Sequence, residues 1–312
     1  MSDYIKSPIN YTGNKYRILP QISKYFPKEI NTFVDLFCGG ATVGFNVDAK
    51  HIILIDSNDK VINMLKTLAT ENVGKIIKEI ESNIATYNLS YSFKKTYAYY
   101  RRNGYVVGNN GLKKYNYDGF YRLREKYNSL KNKTTFRANI MLYTLMIYGF
   151  NNDLRFNSDG QFNLPVGKTD FNKSNYDKLI AYNERAKKIS YEFICADFRS
   201  KKVSKIIESA DFVYCDPPYL ITTAVYNENH GWSEKEENDL LELLKHIDNS
   251  KKSFALSNIL KKSDKTNTIL ANWILNNKYN KHNIIYHYKS ASYNKKNRDG
   301  KEEEVLITNE NK

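Results

Sequence analysis

Residues 32–56 read TFVDLFCGGATVGFNVDAKHIILID, and this stretch decides the fold. An apolar run at 32–37 leads into a glycine-rich turn and a helix-like stretch through Val47, and a second apolar run then ends in Asp56. This order of strand, turn, helix, strand and acid is typical of a nucleotide-binding βαβ unit. The turn lacks the complete dinucleotide fingerprint and the Lys-Ser/Thr of a phosphate-binding loop, which leaves open a nucleoside ligand that has no pyrophosphate.

The alternation of strands and helices returns in the C-terminal part of the chain. Apolar runs predict strands at 189–195, 212–215, 253–258, 279–288 and 304–308. Ser233 followed by Glu236 predicts a capping box at the start of a helix, and residues 268–276 predict a further helix. The pattern predicts an α/β fold, in which ligands bind beyond the carboxyl ends of the strands.

Residues 59–174 have a different character. Helical periodicity covers 61–84 and 134–148, and the segment between them is rich in Tyr, Lys, Arg and Asn. The block at 149–168 predicts a β-hairpin whose tip is Ser158-Asp159-Gly160. We therefore predict an inserted domain at 59–174 within an α/β domain formed by 1–58 and 175–312.

Composition narrows the class of protein. The 312 residues carry a formal net charge of +14, which suits a polyanionic partner, although compositional drift produces the same excess and the charge needs support from a site. Cys38, Cys195 and Cys215 lie in or beside apolar runs without metal-ligand spacing, so we interpret them as small buried residues. We expect no metal site, no membrane span and a cytoplasmic location.

Three acids follow predicted strands: Asp56, Asp197 and Asp216. One such acid by itself is more often a helix cap or a turn residue. Because the carboxyl ends of parallel strands share one edge of the sheet, three of them in separate turns favour a common site. Asp56 is placed to accept hydrogen bonds from ribose hydroxyls.

The tetrapeptide Asp216-Pro217-Pro218-Tyr219 follows the apolar run at 212–215. The two prolines fix φ and lack an N–H, so their carbonyl groups can face a ligand. The carboxylate accepts hydrogen bonds, and the tyrosine ring offers a face for stacking. These residue types form a rigid pocket for a flat ring that bears an amine.

Four blocks, taken in order, resemble the Dam-type (D12 class) DNA adenine-N6 methyltransferases. They are NYTGNK at 10–15, DLFCGG at 35–40, the block at 151–167 and the tetrapeptide at 216–219. In that family the corresponding blocks are the N-terminal motif, the cofactor loop, the DNA-reading hairpin and the catalytic motif. The resemblance implies a Rossmann-like S-adenosylmethionine-dependent methyltransferase sheet with an inserted, mainly helical DNA-recognition domain that carries a β-hairpin.

The resemblance also implies S-adenosyl-L-methionine as the methyl donor. It places Tyr11 and Lys15 at the methionine end, Asp56 on the ribose, and Asp197 with Phe198 beside the adenine. The chain departs from the commoner family forms at Tyr11, often Trp, and at Asn14, often Gly. The complete set of implied cofactor residues is Tyr11, Lys15, Asp35, Phe37, Gly39, Gly40, Asp56, Asp197, Phe198 and Asp216.

The implied catalytic residues are Asp216, Pro217, Pro218 and Tyr219. The Asp216 carboxylate and the Pro217 carbonyl would accept the two N–H bonds of an adenine amine, and Tyr219 would stack on a base flipped out of the duplex. Arg155 is our candidate for reading a guanine edge, with a phosphate contact or a solvated charge as its alternatives. The DNA-binding residues implied by the hairpin are Asn151, Asn152, Arg155, Asn163 and Pro165.

The sequence therefore predicts a site-specific methyltransferase that acts on the adenine N6 amine in duplex DNA. The hairpin resembles those that read GATC. An RNA adenine methyltransferase and a catalytically inactive DNA-binding regulator on the same fold stay as alternatives. We expect a monomer or weak dimer, associated with the nucleoid, and a cognate restriction endonuclease is an open functional partner. For the basic loop at 289–301 three interpretations stay open: it clamps DNA, it covers the flipped base, or it is a solvated disordered loop.

Overall fold

The computed structural model describes residues 4–11, 13–222, 232–285 and 302–309. The strands are β1 Thr32–Asp35, β2 His51–Asp56, β3 Tyr191–Cys195, β4 Phe212–Cys215, β5 Ser253–Lys262, β6 Lys265–Thr266, β7 Asn280–Ile284 and β8 Glu302–Thr308. The α-helices are α1 Leu19–Ile22, α2 Asp59–Thr70, α3 Val73–Thr86, α4 Ser92–Lys95, α5 Tyr97–Arg102, α6 Lys113–Asn128, α7 Phe136–Tyr148, α8 Lys173–Ala186, α9 Lys201–Glu208, α10 Glu234–Asn249 and α11 Thr268–Asn277. Thr12 and the predicted basic loop at 289–301 lie outside the described residues.

The strands form one sheet in the order β3-β2-β1-β4-β5-β8-β7, and β6 pairs with β5. The pairs from β3 through β5 are parallel, whereas β8 runs antiparallel to both β5 and β7. The central strands are almost continuously apolar and buried, as expected for parallel strands that are covered on both faces. The predicted α/β fold with a Rossmann-like sheet is confirmed.

The strand order reverses between β1 and β4, and this reversal positions the site. After β1, Leu36 N–H donates to Tyr214 O at 2.9 Å and Cys38 N–H donates to Ile55 O at 2.9 Å. These bonds hold the segment that follows β1 between the neighbouring strands β4 and β2. A topological switch point of this kind opens a crevice at the carboxyl ends of the strands.

Two compact units divide the chain. The helical unit comprises Met1–Asn14, Gly39–Phe45 and Asn58–Ile189, and the sheet unit comprises Lys15–Cys38, Asn46–Ser57 and Ser190–Lys312. The long segment of the helical unit begins next to the expected boundary at 59 and extends past 174, because α8 packs with α2 and α3. The functional roles of the two domains stay predictions.

In the helical unit, α7 is the central element. Every residue from Ala138 to Tyr148 is buried, which agrees with a helix that is apolar on all sides. The side chain of Thr135 caps its first turn by accepting from Ala138 N–H at 3.2 Å. In the sheet unit, the predicted capping box at the start of α10 is present: Ser233 N–H donates to Glu236 Oε2 at 3.0 Å.

The helical periodicity at 61–84 is confirmed, and it belongs to two helices, since Asn72 caps α3 and separates it from α2. Two local predictions were wrong. The stretch through Val47 is not an α-helix, because Gly39 (φ +46°) and Ala41 (φ +56°) hold the backbone in the left-handed region and only a 3-10 turn at Gly44–Asn46 follows. Cys38 and Cys215 are buried as predicted, but Cys195 is exposed because β3 is an edge strand.

The predicted strand at 279–288 is observed as the shorter β7, and residues 286–288 lie outside the described ranges. Within the part of the chain that the structure describes, none of the helices combines the length and apolar character needed to cross a bilayer.

Candidate active site and cofactor-binding residues

The Asp216 carboxylate lies directly after β4 and is held from two sides. Lys15 Nζ is 2.7 Å from its Oδ2, and the Tyr219 hydroxyl donates to its Oδ1 at 2.9 Å. The Asp216 side chain is 17% exposed. Each carboxylate oxygen offers two lone-pair directions, so both oxygens keep capacity for a further N–H donor.

Lys15 contacts the catalytic candidate directly, and its predicted place at the methionine end stays a prediction. Its ammonium pairs with Asp216 and lies 5.4 Å from the centroid of the Tyr219 ring. The Lys15 backbone is fixed as well, because its carbonyl accepts from Ile18 N–H and Leu19 N–H at the start of α1. With only 4% of its side chain exposed, Lys15 is a buried cation that pairs with the catalytic candidate.

The turn that carries Tyr219 is ordered by its own hydrogen bonds. The hydroxyl and backbone N–H of Thr222 both donate to Tyr219 O, at 3.0 and 3.1 Å. Burial, and then the neighbouring Asp216 charge, raise the pKa of the Tyr219 hydroxyl well above its usual value. The hydroxyl therefore stays protonated near neutral pH and acts as a donor to Asp216.

Glu304 on β8 belongs to the same charged group, although sequence reasoning missed it. Its side chain is buried, with 5% exposure. Burial raises the pKa of Glu304 to about 7, while Lys15 lowers it and Asp216 raises it further. In the sequence the residue is hidden in the charged run Glu302-Glu303-Glu304, and only its place directly before the apolar VLIT segment distinguishes it.

Three aromatic side chains cluster beyond the ends of β1 and β3. Phe37 and Phe198, both predicted cofactor residues, lie 5.4 Å apart between ring centroids. Trp232, which sequence reasoning missed, lies 5.6 Å from Phe37 and 5.7 Å from Phe198. Its indole N–H donates to Glu237 Oε2 at 2.6 Å, and Asn267 donates to the other oxygen of Glu237 at 2.8 Å. The sheet unit thus holds an aromatic group of fixed orientation.

The predicted acids of the sheet unit differ in their surroundings. Asp56 ends β2 and is half-buried, and its carbonyl accepts from Ala196 N–H at 3.1 Å. Asp35 is 1% exposed and lies within the sheet. Asp197 is exposed and pairs with Arg199 through both oxygens, at 2.9 and 2.8 Å. The hydrogen bond from Arg199 lowers the pKa of Asp197.

In the helical unit, Tyr11 packs on the glycine-rich loop. A Cβ added to Gly39 would lie 2.8 Å from Tyr11 Cδ1, and a Cβ at Gly40 would lie 3.1 Å from Ser7 Oγ. Gly39 also has φ +46°, which side chains rarely adopt. Both glycines are therefore explained by the close approach of the N-terminal segment, and a direct cofactor contact stays a prediction.

The predicted hairpin is present in part. Its tip lies at residues 158–160 as expected, and Gly160 adopts φ +69°. Its arms meet at isolated antiparallel bridges, Phe156↔Phe162 and Gly149↔Val166, instead of a continuous ladder. Polar side chains of the hairpin form hydrogen bonds with other hairpin residues, and these bonds accompany the irregular pairing of the arms.

The predicted DNA-binding side chains occupy distinct positions on this hairpin. Arg155 Nε donates to Asn163 Oδ1 at 2.9 Å, and its terminal nitrogen donates to Asn163 O at 3.2 Å. The Asn152 amide donates to Thr169 Oγ1 at 3.0 Å and to Ile147 O. The remaining two, Asn151 and Pro165, accept through their backbone carbonyls, from Asn10 at 3.0 Å and from Phe150 at 2.9 Å.

Comparison with known proteins gives consistent matches. The family model described as D12 class N6 adenine-specific DNA methyltransferase matches residues 11–289. The type II methyltransferase M.FokI of Planomicrobium okeanokoites is 37% identical over 99% of this chain and 43% of that protein. The modification methylase StsI of Streptococcus sanguinis is 34% identical over 98% of this chain and 43% of that protein. This chain thus spans less than half the length of these two relatives.

A DNA adenine methylase of Escherichia coli (strain K12) is 26% identical over 70% of this chain and 66% of that protein. Among solved structures, the rRNA methyltransferase aviRa from Streptomyces viridochromogenes covers 96% of this chain and 85% of its own with a TM-score of 0.38 and 9% identity. That structural similarity is too low to support a functional comparison. The family match covers most of the sequence, so the chain belongs to the D12 class of N6 adenine-specific DNA methyltransferases.

Proposed function

We propose that this chain transfers the methyl group of S-adenosyl-L-methionine to the N6 amine of adenine in duplex DNA. The observation that carries the proposal is the Asp216 carboxylate, fixed between Lys15 and Tyr219 at the carboxyl end of β4. Membership of the D12 class supports the reaction, and the names of the relatives M.FokI and StsI support a role in DNA modification.

The residues of the sheet unit fit the proposed methyl donor. Acidic side chains end or follow three parallel strands of the sheet, β2, β3 and β4, at Asp56, Asp197 and Asp216. Carboxylates accept hydrogen bonds from ribose hydroxyls and attract a cationic sulfonium. The cluster of Phe37, Phe198 and Trp232 offers apolar contact to a nucleobase. When bound, S-adenosyl-L-methionine supplies an electrophilic methyl carbon on a positively charged sulfur.

Asp216 performs the positioning that an adenine amine needs. The lone pair of this amine is delocalised into the ring, so the nitrogen is a weak nucleophile. A carboxylate that accepts one N–H, with the Pro217 carbonyl accepting the other, favours a pyramidal nitrogen whose lone pair faces the donor methyl. Lys15 and Tyr219 hold the carboxylate in a single orientation, which is the preorganisation that such catalysis requires.

We assign recognition of DNA to the hairpin at 149–168. A target adenine must leave the duplex stack, at a cost of a few kcal/mol that pocket contacts offset. Asn163 holds two nitrogens of the Arg155 guanidinium and leaves other N–H groups for a guanine edge or a phosphate. GATC is the candidate target, and a cognate restriction endonuclease is the functional partner that a modification methylase implies. The nucleoid is the expected location.

Incubation with methyl-labelled S-adenosyl-L-methionine and unmethylated duplex DNA tests the proposal. We expect label on adenine N6, and Asp216→Asn should abolish it while the exposed turn variant Asp264→Asn retains it. Sequencing of the methylated DNA then gives the target site. Label on RNA but not on duplex DNA would favour the RNA alternative. Duplex binding without methyl transfer by the wild-type chain would favour the inactive regulator.

A further inference from the structure

Glu304 is a buried acid that the proposed mechanism does not use. It lies on β8, in register with Ile259 of β5 and Ile284 of β7. Both isoleucines are themselves buried, at 4% and 7% exposure. Because directly opposed residues of antiparallel strands share one face, an aliphatic side chain at position 304 would extend this apolar surface.

One oxygen of the Glu304 carboxyl is buried without a hydrogen bond that would offset the loss of water. Among the residues that the structure describes, Glu304 Oε1 has no hydrogen-bond partner. A buried polar atom left in this state destabilises the fold, and the cost is greater if the group is charged. Packing and stability therefore do not explain an acid at this position. The charged groups around Glu304 indicate what its role is instead.

Three of those neighbours, Lys15, Asp216 and Tyr219, belong to the proposed site. Lys15 attracts the Glu304 charge, whereas Asp216 and Glu302 repel it. Glu304 in turn raises the pKa values of Tyr219 and Tyr214. These five groups come from the segment before α1, from β4 and its following turn, and from β8 itself.

We propose that Glu304 is a positioning residue for methyl transfer, and that its ionised form gives the Lys15–Asp216 pair a net negative charge. The inference rests on the proposed function. With Glu304 protonated, the ammonium and the Asp216 carboxylate cancel. With Glu304 ionised, Lys15, Asp216 and Glu304 together carry one net negative charge.

Ionisation of Glu304 favours the reaction because of where charge develops. The amine nitrogen becomes positive as its bond to the methyl carbon forms, while the electron pair of the broken carbon–sulfur bond stays on sulfur. The nitrogen then passes a proton to the Asp216 carboxylate, which accepts its N–H. An additional negative charge next to the pair that holds the amine stabilises this change without reorganisation. Since burial raises the pKa of Glu304 to about 7, the charge appears within the physiological pH range.

Single-turnover methyl transfer between pH 6 and pH 8.5 tests the proposal. We expect the wild-type rate to rise on the order of tenfold, and Glu304→Gln to stay near the wild-type rate at pH 6 throughout. Glu304→Asp, which keeps the charge, should retain the rise and serves if the glutamine variant fails to fold. The matched control is Glu303→Gln, since Glu303 is the neighbouring half-buried acid and pairs with Lys281 at 2.9 Å.

A second readout needs no activity. In the ligand-free protein, the melting temperature of Glu304→Gln relative to wild type should increase by about 5 °C between pH 5 and pH 8, because only the wild type must ionise a buried acid. Parallel pH–rate profiles for wild type and Glu304→Gln would overturn the inference, as would a melting difference that is independent of pH. A wild-type chain that shows the melting signature but methylates nothing would instead refute the proposed function.

Discussion

The ion pair between Lys15 and Asp216 yields the most direct energetic prediction, because both charges are shielded from water. The two side chains are 4% and 17% exposed, and their charged atoms are 2.7 Å apart. Lys15→Met keeps much of the side-chain volume and removes the cation. Removing one partner of a buried pair costs about 3–5 kcal/mol. Since Asp216 keeps some contact with solvent, we expect the lower end, about 3 kcal/mol of unfolding free energy.

A double-mutant cycle separates this pairing from general damage to the core. Urea unfolding of Lys15→Met, Asp216→Asn and the double variant should give a coupling energy of about 2 kcal/mol, because the double variant leaves no lone charge. The pair Lys173–Asp177 provides the control cycle, since it has the similar distance of 2.8 Å but exposures of 77% and 53%. Its coupling should not exceed about 0.5 kcal/mol.

The kinetic consequence follows from the same geometry. Without Lys15 the carboxylate loses one of its two orienting contacts, so methyl transfer by Lys15→Met should fall on the order of 100-fold with little change in DNA affinity. Equal coupling energies in the two cycles, or full activity of Lys15→Met, would show that the buried pair neither stabilises nor orients Asp216.

Four further outcomes are expected. Gly39→Ala should destabilise the protein by about 1–3 kcal/mol in urea unfolding, whereas Gly104→Ala, at φ +73° but with no atom within 4 Å of the added carbon, should cost less; equal losses would exclude the Tyr11 contact as the cause. Trp232→Ala should weaken S-adenosyl-L-methionine binding about tenfold by calorimetry, and unchanged affinity would remove it from the site. The unfolding free energy of wild type relative to Glu304→Gln should be highest below the ordinary glutamate pKa of 4.5. It should fall by about 3 kcal/mol as the pH rises through about 7, where Glu304 ionises in the folded protein. Arg155→Ala should relax one target position by about 1–3 kcal/mol of discrimination if it reads a base, and should weaken all sequences alike if it contacts phosphate.

The sheet could be predicted because its strands are short, apolar and bounded by polar turns. The sequence of β4 is buried at all four positions, and the tetrapeptide after it therefore had to emerge at the edge of the sheet. Helix α8 escaped prediction because it buries few side chains and is otherwise polar, which makes its periodicity a weak signal. Helix α9 is amphipathic but spans only 8 residues, so its pattern covers little more than two turns.

In the candidate site, residues within a local sequence motif could be predicted, whereas residues brought in by distant segments could not. Asp216 could be identified from the residues that follow it in sequence. Its salt bridge with Lys15 could not, because it joins segments that only the sheet topology brings together. Trp232 became recognisable only through its contacts with Phe37 and Phe198. Glu304 was concealed for a further reason, since a run of three acids is usually a solvated surface and strand pairing alone decides which of them is buried.

The exposed position of Cys195 offers a practical consequence for spectroscopy. Burial raises the pKa values of the other two thiols, Cys38 and Cys215, well above their ordinary range, which suppresses their thiolate forms. A maleimide dye should therefore attach selectively at the end of β3, two residues before Asp197. Such a label would let fluorescence follow ligand arrival at this edge of the sheet in the unmutated protein.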